Sequence, residues 1–269
     1  MPAYQYLQVK QRHAIATVTL NRPEVHNAFN DRVVAEVSQA FQELTDDPAV
    51  RVIVLAGAGK SFSAGADLSW MRQMIDYTPE ENLQDARLLA DMFRRIDRSP
   101  KPVIARIQGV ALGGGAGLVA VADLPIAGES AQLGFTEVRL GILPAVISPY
   151  VVARIGMARA RECFLTGERF SATRAAEIGL VARVVADAEL DNEVERTAGE
   201  ILSCGPEALR ETKKLLFQIA AERDEKRLQE STARAIAERR ASSEGQEGMR
   251  AFLDKRPANW AERLKDGHS

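Results

Sequence analysis

Three consecutive glycines, Gly113, Gly114 and Gly115, open a run of small apolar residues from Ala116 to Ala122, and a single carboxylate, Glu137, follows among Phe135, Thr136 and Val138. The run has the length and composition of a short buried helix. Glycines at a helix start let a ligand approach the main chain, and the first N–H groups there have no intrahelical acceptor. Such a start favours a negative charge developing on a bound molecule. A carboxylate in apolar company resists ionisation, so the Glu137 pKa is expected to be raised, which suits a group that moves protons near neutral pH. Together these residues form an anion-stabilising backbone site with one acid/base. Taken alone, a glycine-rich turn before a helix is structural more often than functional. It is neither a GxxxxGK[ST] phosphate loop nor a GxGxxG dinucleotide fingerprint.

The elements that must position these groups follow from hydrophobic period. His13 to Leu20 alternates and reads as a strand, and a polar connection, NRPEVHNAFN, ends at Asn30, a good N-cap. Val33, Val37, Phe41 and Leu44 then share one helical face, with Val34 and Ala40 beside them. Val52 to Leu55 is a short apolar strand, followed by the glycine-bearing loop AGAGKSFSAGADL, which carries a second candidate site. Trp70 to Ile75 reads as helical, and Glu80 to Asp97 predicts an amphipathic helix stopped by Pro100 and Pro102. The strand Val103 to Ile107 leads into the glycine helix, and Leu124 to Ala127 and Gln132 to Phe135 are short strands. After Pro149 helices dominate: Tyr150–Ile155, Ala158–Leu165, Ala172–Ile178, Ala186–Leu202, Pro206–Arg223 and Glu225–Arg240. Alternating strands and helices point to a layered α/β core, and pattern alone favours an open doubly wound sheet. The expected division is an α/β core over residues 1–185 that holds the active site and a helical region over 186–269.

Composition narrows the function classes. A net charge of −2 gives no global pull toward nucleic acid or an anionic membrane. The cysteines, Cys163 and Cys204, form no CxxC, and with 3 histidines no structural metal site is expected. Both read as small buried hydrophobes of a reducing compartment. The opening MPAYQYLQVK shows no targeting pattern and no run is long enough to span a bilayer, so a cytoplasmic protein is expected. His26 sits in a loop, where a histidine is ordinarily a surface or hydrogen-bonded residue. The basic residues Lys213, Lys214, Arg223, Lys226 and Arg227 are interleaved with glutamates and read as a solvated helix face.

SFSAGADL (Ser61–Leu68) paired with GVALGGG (Gly109–Gly115) resembles the crotonase superfamily, the enoyl-CoA hydratase/isomerase proteins. LNRPEVHNAFN, FLTGERFSATRAAEIGLV and EGMRAFLDKRP extend the resemblance over nearly the whole chain. It implies a spiral of ββα units with a C-terminal helical region that drives trimer formation, often as a hexamer built from two trimers. It implies an acyl-CoA substrate, with no cofactor beyond the coenzyme A that the substrate carries. By the same resemblance the backbone N–H groups of Ala66 and Gly114 would form an oxyanion hole for the thioester carbonyl, with Glu137 as the acid/base. Val25, His26, Ala28 and Ala64 would line the CoA path, and Phe252 and Lys255 would close over it from the C-terminal helices.

One departure bears on the reaction. Typical hydratases of the superfamily carry a further glutamate two positions after the triple glycine, where this chain has Gly117. One carboxylate over one enolate suits an isomerase that moves a proton between C2 and C4 of a 3-enoyl-CoA. The wording of FSAGADLSWM and FTEVRLGILPAVISPYVV instead resembles bacterial methylglutaconyl-CoA hydratases of leucine breakdown and the related isohexenylglutaconyl-CoA hydratases, a subgroup that also lacks that glutamate. There Trp70, Met71 and Gly117 would line the acyl pocket, and Arg139 is a candidate partner for a distal substrate carboxylate. Core packing explains Trp70 and Met71 equally well, and a structural ion pair explains Arg139. The leading reading is hydration of a branched enoyl-CoA. The alternatives are a 3,2-enoyl-CoA isomerase and a non-catalytic acyl-CoA-binding scaffold.

Overall fold

The computed structural model describes residues 4–261. In chain order the elements are strands β1 (Leu7–Arg12) and β2 (Ile15–Leu20), helix α1 (Asp31–Asp46), β3 (Val52–Gly57), α2 (Leu68–Ile75), α3 (Pro79–Asp97), β4 (Val103–Ile107), β5 (Val110–Leu112) and α4 (Gly114–Val121). There follow β6 (Leu124–Gly128), β7 (Gln132–Gly134), α5 (Ser148–Thr166), β8 (Arg169–Ser171), α6 (Ala172–Glu177), β9 (Arg183–Val185), α7 (Leu190–Leu202), α8 (Pro206–Ala221), α9 (Glu225–Ala241) and α10 (Ser243–Leu253). Two compact units result: residues up to Ser99 with Val103–Glu195, and Pro100–Pro102 with the chain from Arg196 onward.

The first unit is organised by a six-stranded sheet of order β1-β2-β3-β4-β6-β9, in which β1 pairs antiparallel to β2 and every later pair is parallel. The order advances in one direction along the chain, so it has no point of reversal and is not the open doubly wound sheet that periodicity suggests. The missing strands lie in a smaller sheet of order β5-β7-β8. Isolated parallel bridges Phe29↔Ala66 and Ser63↔Ala111 continue that layer across the polar connection and the first glycine loop. The chain therefore repeats one motion. It runs a strand in the large sheet, a short extended segment in the small layer, then a helix: β2, Phe29, α1; β3, Ser63–Ala66, α2; β4, β5, α4; β6, β7, α5. These small-layer segments are too short and too glycine-rich to alternate visibly.

Local chemistry explains the element ends. Asn30 caps α1 by accepting from Val33 N, and the helix buries Val33, Val37, Phe41 and Leu44. Thr78 and Glu81 form a capping box at α3, whose inner face buries Met92, Phe93 and Ile96. Because the box is exposed and its energy local, Thr78→Ala is expected to lower unfolding free energy by about 1 kcal/mol in denaturant titration without altering the fold. The two helices read at Tyr150–Ile155 and Ala158–Leu165 are one element, α5, broken at Gly156, whose φ of 75° is outside the helical region. Helix α4 is buried on all sides after Gly114, as its uniformly apolar composition requires.

Candidate active site

The two glycine loops are brought together by main-chain pairing in the small layer. Phe29 N donates to Gly65 O (2.6 Å) and Asp67 N donates to Phe29 O (2.8 Å). On the other flank Ser63 N donates to Val110 O and Leu112 N to Ser63 O, both at 3.0 Å. Successive peptide groups of an extended chain point to opposite sides. With Gly65 O and Asp67 N turned to Phe29, the Ala66 N–H must point the other way. Gly65 makes this approach possible: at φ 88° it carries no Cβ, and one built there would lie 2.8 Å from Leu112 O and 3.6 Å from Gly114 N. The Gly65–Ala66 segment thus lies against the start of α4.

At that start Gly113 N donates to Gly134 O and Gly117 N donates to Gly113 O, each at 2.9 Å. Gly114 is the first residue of α4, and no side chain caps the helix. Neither Ala66 N–H nor Gly114 N–H has an acceptor among the described residues. Both are free to donate to an oxygen from outside the chain.

Glu137 begins the short 3-10 helix Glu137–Leu140 that follows β7. A Cβ built on Gly113 would lie 3.4 Å from Glu137 Oε1 and 3.7 Å from its Cδ, so the carboxyl sits beside the residue that precedes Gly114. Its Oε2 is buried with no hydrogen-bond partner. Burial pushes the Glu137 pKa above its ordinary value, opposed in part by a hydrogen bond from its own amide. Ala66 ends one small-layer segment, and Gly114 and Glu137 come shortly after β5 and β7 in the next two turns of the chain. Two unsatisfied amides next to a desolvated carboxylate can hold an oxygen that gains charge while a proton moves at a neighbouring carbon.

Residues 10–263 match the family model described as enoyl-CoA hydratase/isomerase. The chain belongs to the enoyl-CoA hydratase/isomerase family. It is 36% identical over 260 residues to the crotonyl-CoA hydratase of Syntrophomonas wolfei, covering 96% of this chain and 98% of that one. It is 35% identical over 245 residues to the short-chain-enoyl-CoA hydratase of Clostridium acetobutylicum, covering 90% and 92%. The crystal structure of an enoyl-CoA hydratase from Shewanella pealeana superposes with a TM-score of 0.92 at 37% identity, covering 96% of each chain. The fold is therefore the crotonase-superfamily α/β fold with its C-terminal helical region.

In this enoyl-CoA hydratase/isomerase family member the residues expected along a CoA path divide between the units. Val25, His26, Ala28 and Ala64 belong to the first. His26 O accepts from Ala64 N at 2.9 Å, and His26 Nδ1 lies 3.0 Å from Ser61 Oγ, which ties the NRPEVHNAFN turn to the glycine loop. Val25 is half-buried, His26 exposed and Ala28 buried. Beneath them Asn27, itself buried, donates through Nδ2 to Ala58 O (2.9 Å) and Ser61 O (2.7 Å). Phe252, 82% exposed at the end of α10, and Lys255, with a φ of 55°, belong to the second unit.

The residues expected around an acyl chain are placed differently from one another. Trp70 is 3% exposed, part of the main hydrophobic core, and borders a groove between α1 and α3 with Val34, Asp85 and Leu88. Met71, the next residue of α2, is half-buried. Arg139 donates through Nε to Gly167 O (2.7 Å) and through Nη2 to Thr166 O (3.5 Å), so those donors serve the C-terminus of α5. Gly117 is buried, and a Cβ there would lie 2.4 Å from Ile147 Cγ2 and 3.1 Å from Phe93 Cε1. The space a longer side chain would need is filled by those two residues.

Sequence reading passed over Gly65, Asp67, Ile147 and Phe93. Asp67 had a legible signal, an acidic residue immediately before a helix, and it does accept from Ser69 N and Trp70 N. The packing of Ile147 and Phe93 over Gly117 has no counterpart in local pattern.

Proposed function

We propose that this chain is an enoyl-CoA hydratase acting on a branched, methylglutaconyl-type α,β-unsaturated acyl-CoA. The observations that support the proposal are two acceptor-free amides, Ala66 N–H and Gly114 N–H, on adjoining segments, with the desolvated carboxyl of Glu137 beside Gly113. The printed names of the crotonyl-CoA and short-chain-enoyl-CoA hydratases support the reaction class.

In the proposed step the thioester carbonyl oxygen accepts from both amides. Glu137, ionised, takes a proton from water as the water oxygen bonds to Cβ, and the electron pair of the double bond moves to an enolate held by the amides. Glu137 then returns the proton to Cα. Atoms balance with water alone, and no oxidation state changes overall, so the proposal calls for no redox cofactor. The amides bind the charged enolate oxygen more strongly than the neutral carbonyl, and this difference lowers the barrier.

The proposal also has Val25, His26, Ala28 and Ala64 lining the CoA path, with Phe252 and Lys255 covering it. Helices α8 and α9 bury none of their residues, and Leu216, Ile219 and Ile236 are exposed on them, which supports assembly into a homotrimer or a hexamer. No described helix is long and apolar enough to cross a membrane.

A second reading, 3,2-enoyl-CoA isomerase, draws support from the filled space at Gly117, which leaves Glu137 without a companion carboxylate there. A turnover panel of crotonyl-, 3-methylglutaconyl-, isohexenylglutaconyl- and 3-hexenoyl-CoA separates the readings. Hydration removes the absorbance of the conjugated thioester, whereas isomerisation of 3-hexenoyl-CoA creates it. Binding without any absorbance change across the panel would leave only an acyl-CoA-binding scaffold.

The raised Glu137 pKa fixes the sign of a pH effect. A base must start ionised, so kcat/KM is expected to fall as pH drops through the Glu137 pKa, at a pH above the ordinary glutamate value of about 4.3. A pH–rate profile with its acid limb at or below that ordinary value contradicts Glu137 as the base.

A further inference from the structure

Directly after Ala66 stands Asp67, and its carboxylate is tied to a part of the chain that reaches the site from another direction. Arg22 Nη2 lies 2.8 Å from Asp67 Oδ2, with the two side chains 12% and 7% exposed. Arg22 Nη1 donates to Ala28 O at 2.8 Å, and its guanidinium stacks 4.6 Å from the centroid of Tyr6. The other carboxylate oxygen, Asp67 Oδ1, accepts from Ser69 N at 2.7 Å and Trp70 N at 3.4 Å and so caps α2. Arg22 N in turn donates to Asn27 Oδ1 at 2.9 Å.

One ion pair thus laces together the two segments whose pairing aims the Ala66 amide. Arg22 holds the carbonyl of Ala28, the residue before Phe29, and also the carboxylate of Asp67, the residue after Ala66. Between them run the bonds Phe29 N to Gly65 O and Asp67 N to Phe29 O, which turn Ala66 N–H away from Phe29 and toward the Gly114 side. We infer that Arg22 and Asp67 are a positioning pair that holds the Ala66 amide on the reacting carbonyl oxygen, a role that rests on the oxyanion hole proposed above. Neither touches the reacting atoms. Helix capping alone would ask only for an oxygen acceptor at position 67, which an asparagine supplies. The arginine, its stacking on Tyr6 and its reach to Ala28 are additional to that need. Burial by itself raises the Asp67 pKa, but the Ser69 amide and the Arg22 guanidinium outweigh it and leave the group below its ordinary value, which favours the carboxylate that the ion pair needs.

The test combines kinetics with a direct readout of the carbonyl. Asp67→Asn, which keeps the cap acceptor, and Arg22→Met are expected to lower kcat at least about tenfold, short of the ~10²–10³ for complete loss of an oxyanion donor, with KM for the acyl-CoA within about twofold. Arg22→Lys is expected to recover part of that loss. The double variant Arg22→Met/Asp67→Asn removes the uncompensated buried charge and is expected to regain stability over Arg22→Met while its kcat stays low. In a Glu137→Gln background, infrared difference spectra of bound crotonyl-CoA labelled with ¹³C at the carbonyl are expected to show a smaller carbonyl shift when Asp67→Asn or Arg22→Met is added. Unchanged carbonyl polarisation in these variants overturns the inference, as does a kcat that recovers with stability in the double variant. A Glu137→Gln protein that shows no carbonyl shift of its own, or that turns over at full rate, instead brings down the functional reading beneath it.

Discussion

Replacing Glu137 with glutamine is expected to lower turnover by about 10²–10⁴, the usual contribution of a positioned acid/base, while acyl-CoA binding persists. The substitution is nearly isosteric. Glu137 Oε2 is buried without a partner, and a glutamine keeps one amide oxygen to accept from the residue's own N–H. A glutamine at the same place can neither take a proton from water nor return one to Cα. The two amides remain, so the ground-state carbonyl is still held and residual rate from polarisation is expected. Steady-state absorbance assays with isothermal titration of the same thioester separate the two effects. Full activity in Glu137→Gln, with binding intact, would remove the carboxylate from the mechanism. It would also remove the reason for a buried, partnerless oxygen at that point in the fold.

The second large effect concerns Gly117, where sequence comparison invites the restoration of a missing glutamate. Gly117→Glu is expected to destabilise the protein by roughly 3 kcal/mol or more and to add no hydratase rate. Alanine in place of glycine within a helix ordinarily gains about 1 kcal/mol. Here the new Cβ would sit 2.4 Å from Ile147 Cγ2 and 3.1 Å from Phe93 Cε1, so collision outweighs propensity before any carboxylate is added. Beyond the Cβ the carboxylate would enter a core of Phe93, Leu118 and Ile147, with a desolvation cost that no partner offsets. Truncating the obstacle should return part of the stability, so Gly117→Glu/Ile147→Ala is expected to unfold at higher denaturant than Gly117→Glu alone. A Gly117→Glu protein as stable as the parent and faster in hydration would show that the space is open to water and substrate after all. The two predictions are linked. In the proposed mechanism Glu137 works without a companion carboxylate at position 117, where Ile147 and Phe93 occupy the space.

Much of this was legible in the chain itself. The glycines at 113–115, the buried helix behind them and the lone Glu137 were visible as residue types, and the paired glycine loops carried the family resemblance. Local signals also placed α1 and α3, because their caps and apolar faces lie within one stretch of sequence.

What tertiary structure decided is what those groups face. The small layer is assembled from two- and three-residue contacts between segments far apart in the chain: Phe29 with Ala66, Ser63 with Ala111, β5 with β7. Such segments are too short to show a period, so their pairing, and with it the direction of the Ala66 amide, could not be read from pattern. The same holds for Arg139, whose donors turn to the end of α5, and for Gly117, whose neighbours Phe93 and Ile147 come from other elements. Residue identity set which chemistry was available at each position. Long-range packing set which backbone groups were left without partners and which spaces were filled, because hydrogen-bond satisfaction and steric exclusion depend on neighbours that only the folded chain supplies.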